Sequence, residues 1–203
     1  MKRIYFLIIF MLGLLGQHKS NAQPSLKNVV GVNALQSAYS AIGLGLYYER
    51  FVTPNAKLSL TLPVSVGWIS DNGYRPPMQY SESLPVYLVN PGVKIYPFGS
   101  KKFFSYAVGP SVFAHIGRTD YIFGNVTQPH YNKDEVLLFD YVTAGVCLNN
   151  YINFKVTRSW SFGLELGLGP SFYNRYTPTD GSMVIDGGTY VFQHASFQIA
   201  YRF

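Results

Sequence analysis

The chain is poor in charge. Lysine, arginine, aspartate and glutamate make up 13% of its 203 residues, against about 25% in an ordinary domain. It has one cysteine, Cys147, so no internal disulfide can hold it together. One long apolar run occurs, from Ile4 to Gly16. It falls short of the roughly 20 residues that a spanning helix needs. The histidines are His18, His115, His130 and His194, and none has a cysteine or second histidine at ligand spacing. "GLGLYY" and "GLGLGPS" read as glycine alternation within strands, with no helix following, which excludes phosphate loops. No metal and no cofactor is expected.

The front of the chain reads as a removable leader. Lys2 and Arg3 precede the apolar run, and small Ser20 and Ala22 precede a cut at Gln23. This is the signal-peptide pattern, expected over 1–22, with one mature domain over 23–203. No cysteine follows the cut, so no lipoprotein-type anchor is expected. Losing Lys2, Arg3 and Lys19 takes the formal charge from +6 to +3. The basic balance belongs partly to the leader, and no nucleic-acid partner is read from it.

What the chain does have is apolar surface in alternation. Hydrophobic residues reach 48% and aromatics 17%. In "KLSLTLPVSVGWI" Leu58, Leu60, Leu62, Val64, Val66 and Trp68 alternate with Ser59, Thr61, Pro63, Ser65 and Gly67. In "SFGLELGLGPSFY" Phe162, Leu164, Leu166 and Leu168 alternate with Gly163, Glu165, Gly167 and Gly169. Successive side chains on a strand point to opposite faces, so these are two-faced strands. The pattern predicts eight, over 27–35, 41–52, 57–69, 86–97, 103–116, 136–156, 161–173 and 190–203. Short turns at 53–56, 98–102 and 157–160 alternate with long loops at 70–85, 117–135 and 174–189. The predicted fold is all-β: an eight-stranded antiparallel up-and-down transmembrane β-barrel, with short turns at one end and long loops outside the cell.

Two barrels share this layout, and the face assignment separates them. A soluble, secreted lipocalin-like binder points its large apolar residues inward. An eight-strand interior is only just wide enough for side chains to fill. A face of Leu, Val, Ile and Phe on several strands overfills it, whereas the face holding Gly43, Gly45, Gly163 and Gly167 leaves room. The apolar face is therefore expected to meet lipid. Glu49, Lys94, Glu165 and Arg202 fall on the small-residue face near the short turns. They are expected to form a paired structural cluster in the lower lumen, since a buried charge has to be paired. Trp68, Phe172 and Tyr173 at one edge, and Tyr48, Tyr96, Phe98, Phe104, Trp160, Phe162, Tyr201 and Phe203 at the other, are expected to form interfacial girdles.

The leader ending "NAQ", the Gly-Pro-Ser strands at 109–111 and 169–171, "PGVKIYPFG" and the final "YRF" carry a resemblance. The chain resembles the small outer-membrane β-barrel domain family of Bacteroidota type, similar in form to the transmembrane barrel of outer-membrane protein A without its periplasmic domain. The resemblance implies a porin-like barrel in the cell outer membrane, with lipid and the barrel-insertion machinery as partners. It implies that Tyr201 and Phe203 are the C-terminal insertion signal. The function expected is structural or surface-interacting and non-catalytic, with a side-chain-filled lumen and an unknown ligand of the extracellular loops.

The alternative enzyme is an outer-membrane hydrolase of the lipid A deacylase type. "QHAS" places His194 and Ser196 on one strand face, but no acidic residue follows in that strand, and the face is the lumen. Nucleophile, base and orienting group have to lie within hydrogen-bond reach. Two features strain the barrel itself. Pro63, Pro91, Pro110 and Pro170 fall inside strands, where proline cannot donate to the ladder. Asn150 falls among outward residues, so a local register change is expected there.

Overall fold

The computed structural model describes residues 27–38, 41–69, 84–100, 102–119, 138–179, 181 and 183–203. The leader expected over 1–22, His130, and the loop stretches at 70–83 and 120–137 lie outside the described residues. The strands are β1 (Asn28–Ala38), β2 (Ala41–Phe51), β3 (Leu58–Ile69), β4 (Pro85–Val89), β5 (Gly92–Ile95), β6 (Phe104–Thr119), β7 (Phe139–Lys155), β8 (Trp160–Pro178), β9 (Ile185–Asp186) and β10 (Tyr190–Arg202). Each pairs antiparallel with its neighbours in one sheet. β4 and β5 share one place between β3 and β6, and β9 caps only the upper end of β8. β10 pairs with both β8 and β1, which closes a ring of eight strands. At the seam Asn28 and Phe203 exchange two backbone hydrogen bonds, of 3.0 and 2.9 Å.

The ring has the face assignment of a membrane barrel rather than a soluble one. Leu46 is 62% and Leu166 61% exposed, whereas Glu49 is 3% and Lys94 1% exposed. Ile42, Leu44, Leu60, Leu164 and Leu168 also point out. Glycines on the inner face make space for the large groups that fill it. A Cβ on Gly31 would strike the Tyr47 ring, one on Gly145 the Phe113 ring, and one on Gly167 both His194 and Asn149.

The prolines sit at a small number of ladder defects. Pro63 lies in β3 opposite the Asn90–Pro91 break that separates β4 from β5, and the Asn90 N–H donates to the Pro63 carbonyl at 3.2 Å. Two prolines thus share one interruption. β5 pairs with β6 only at Gly92–Ser111 and Ile95–Val108, and Pro110 lies in the gap between them. Pro170 adjoins the register shift between Ala144 and Gly145 of β7, where Ala144 meets Tyr173 and Gly145 meets Ser171. An N–H that proline lacks is missed least where the ladder is already broken.

Three expectations change. Asn150 causes no register change: β7 pairs with β6 without a shift, and Asn150 stays outward. The Tyr106 hydroxyl donates to Asn150 Oδ1 at 2.7 Å, so a neighbouring strand supplies a partner at an outward-facing position. Tyr96 leaves the girdle, because it shares its face with Lys94 and is buried. The seventh predicted strand runs on past 173 to Pro178, since Asn174–Pro178 pair with the top of β7 and with β9. Turn-forming residues mark that stretch as loop, and tertiary pairing overrides them.

Gly169 gives a direct test of the tight wall. A Cβ there would run into the backbone carbonyl of Val146. Gly169→Val is expected to destabilise the barrel by about 1–3 kcal/mol through overpacking. Urea titration of the refolded protein in micelles, followed by the folded fraction on an unheated gel, measures it.

Candidate functional site

The lumen is built in layers, and β-strand alternation puts each layer's side chains at one height. At the short-turn end Phe51 and Tyr96 pack with ring centroids 5.5 Å apart. The Arg202 guanidinium lies 4.2 Å over the Phe51 ring and donates to Ser100 Oγ at 3.2 Å. Above it Glu49 is fully engaged. Its Oε1 accepts from Ser59 Oγ at 2.7 Å and Tyr96 OH at 2.8 Å, and its Oε2 accepts from Lys94 Nζ at 3.2 Å. Lys94 has further support from ring faces, 4.2 Å from the Tyr151 centroid and 5.1 Å from that of Tyr47. A desolvated cation over aromatic faces gains electrostatic support from the ring quadrupole.

A second carboxylate lies higher. Glu165 Oε2 accepts from Gln198 Nε2 at 2.6 Å and from Ser196 Oγ at 3.2 Å. Glu165 Oε1 lies 3.9 Å from His194 Nε2. That nitrogen also lies 3.0 Å from Asn149 Oδ1 and 3.2 Å from Asn90 Nδ2, and Asn149 in turn donates to Ser111 Oγ at 2.7 Å. The next layer is apolar. Phe113 and Phe192 stack at 4.0 Å across the lumen, with Ala38, Leu88 and Cys147 around them. Beyond it His115 meets the edge of Tyr141, 3.3 Å from its hydroxyl. A cavity of about 10 Å³ beside Leu88 and His115 is the size of about one water.

Of the four charges placed on the lumen face by sequence, the structure brings Glu49 and Lys94 into contact. Glu165 bonds to Ser196 and Gln198 instead, and Arg202 to Phe51 and Ser100. Tyr201 and Phe203 point outward at the seam, with Tyr201 packed edge-on to Trp160 at 5.2 Å. The carboxylate absent from the strand of His194 and Ser196 comes from the next strand, because Ser196 pairs directly with Glu165. They do not form a Ser–His pair: among the described residues no hydrogen bond joins Ser196 to His194. The Ser196 hydroxyl is bonded to the carboxylate, while the imidazole is held by two asparagines. Sequence reasoning missed Asn90, Asn149 and Gln198. All three follow the inward parity of their strands: Asn90 continues the inward series of Val86 and Leu88, which runs on to Lys94 across the Pro91 break.

The fold and filled lumen define the class: a closed eight-stranded up-and-down barrel with an apolar exterior. No protein-family model and no curated protein matches the chain. Its architecture is similar to a solved structure, a major outer membrane protein from Thermus thermophilus. The TM-score is 0.60 at 14% identity, over 87% of this chain and 98% of that one.

The Glu49–Lys94 pair is testable by partner removal. Lys94→Met leaves a buried carboxylate without its cation, and a destabilisation of about 3–5 kcal/mol is expected. The double variant Glu49→Gln/Lys94→Met is expected to recover most of that loss. Denaturant titration of both in the same micelles decides it.

Proposed function

We propose that the chain is an integral outer-membrane β-barrel with a sealed lumen and a structural or surface-interaction role, without catalysis. One observation carries this reading: a closed ring whose outward residues are mostly Leu, Ile, Val and aromatics. Exposed to water, such a wall is far larger than the few hundred Å² of apolar patch that a soluble monomer tolerates. In a bilayer it is the lipid-facing band, flanked by Trp160, Phe162, Tyr201 and Phe203 below and Trp68, Phe172 and Tyr173 above. Outside the breaks at the prolines, the closed ladder then satisfies its backbone groups without water.

The same reading supplies the partners. Lipid surrounds the wall, and the barrel-insertion machinery reads Tyr201 and Phe203 during assembly. The likeness to the Bacteroidota-type small barrels supports this assignment, and the stacked Phe113–Phe192 layer supports a sealed lumen. The stretches that the sequence marks as long loops, 70–85, 117–135 and 174–189, are the surface-interaction elements of the proposal.

Three measurements test it. The protein is expected in the outer-membrane fraction, with a gel mobility that shifts between unheated and boiled samples. A soluble protein without the shift overturns the proposal. In planar bilayers no steady conductance is expected, and a stable open current contradicts the sealed lumen. Ser196→Ala is expected to leave the acylation profile of lipid A unchanged by mass spectrometry, and an altered profile reinstates the hydrolase.

A further inference from the structure

One row of the outer wall differs from the rest. Ser37 of β1 pairs with Ala195 of β10, Ala195 with Leu166 of β8, and Leu166 with Asn150 of β7. Gln193 lies one step along β10 from this row, opposite Leu168. These residues line a groove of about 380 Å³. Its floor is made by the small side chains of Ser37 and Ala195, and its ridges by Leu166 and Leu168, both well exposed.

The depth of the row is fixed by its partner strand. The outward residues of β8 run Trp160, Phe162, Leu164, Leu166, Leu168, Pro170 and Phe172. Aromatics stand at both ends, and Leu166 is in the middle. Asn150, paired with Leu166, is therefore at mid-depth of the apolar band. Its Oδ1 accepts from Tyr106, and no described residue accepts from its Nδ2. The Gln193 amide has no described partner either. Unbonded amide groups in hydrocarbon are costly, so the two side chains call for a hydrogen-bonding occupant at that depth.

The geometry points to an acyl-chain site: the groove takes a lipid chain that carries a hydroxyl group part-way along its hydrocarbon. This rests on the reading of the wall as membrane-embedded. A hydroxyl both donates and accepts, so it can meet either the free Asn150 N–H groups or the Gln193 amide. No lysine or arginine lines the groove, so it is not built for a phosphate headgroup. A second copy of the barrel is a poor occupant. Its convex wall would meet the Leu166 and Leu168 ridges before reaching Ser37 and Ala195.

The experiment uses the refolded full barrel in nanodiscs containing equal amounts of two phosphatidylcholines, one with stearoyl chains and one with 12-hydroxystearoyl chains. Native mass spectrometry reads the lipids that stay bound. The wild-type protein is expected to retain the hydroxylated lipid with a preference of about threefold or more, the scale of one hydrogen bond in a membrane. Asn150→Leu/Gln193→Leu is expected to insert, to keep its heat-dependent gel shift and to lose the preference. Ser37→Ala, a smaller change, is expected to insert and keep it. An inserted wild-type barrel without preference overturns the inference alone, as does a preference that survives in the double variant. A dimer that the double variant abolishes assigns the groove to a second copy and also overturns it. A protein that does not insert overturns the membrane reading itself.

Discussion

The pairing of β1 with β10 carries the rest of the structure. Without it the sheet has two open edges, and exposed edges invite pairing with other chains. With it, an apolar face is forced outward all the way round, and an inner face is forced into a space barely wider than its own side chains. The two backbone hydrogen bonds between Asn28 and Phe203 lie at the foot of that seam. The height of every lumen layer follows from the register they help to set.

A closed interior imposes its own chemistry. Charged groups there have no water to fall back on, so each has to be met by protein. Glu49 is met by Lys94, Ser59 and Tyr96, and Lys94 by rings as well as by the carboxylate. Glu165 relies on the neutral donors Ser196 and Gln198. Above these layers Phe113 and Phe192 stack in an apolar layer, with the His194 and His115 rings on either side of Phe192. The lumen is thus a core in which polar layers lie on both sides of an apolar one. Such packing favours a plug over a passage.

The defects are concentrated at a few places. Pro63 and Pro91 occupy one interruption, Pro110 another, and Pro170 adjoins the register shift on β7. Asn150 shows the opposite solution. The strand keeps its register, and a phenol on the neighbouring strand meets part of the amide's need. The remainder of that need, with Gln193 beside it, is what makes the outer groove chemically distinct from the leucine wall around it.

The sequence by itself determined the architecture, because a side-chain period of two is a local property. Leu58 to Trp68 and Phe162 to Leu168 declare their two faces without reference to any other strand, and crowding in an eight-strand interior decides which face goes in. It also placed Glu49, Lys94, Glu165 and Arg202 on the inner face, since parity follows from the chain alone. Only the tertiary structure decided which of them meet. Ser196 faces Glu165, and Lys94 meets Glu49, through registers between strands that no single strand contains. Parity holds even across the Pro91 break, so the inward place of Asn90 was legible, and only its partners His194 and Asn149 were not. Asn174–Pro178 were not legible as strand for a related reason. Their local preferences favour turns, and the partners that hold them extended on β7 and β9 come from elsewhere in the fold.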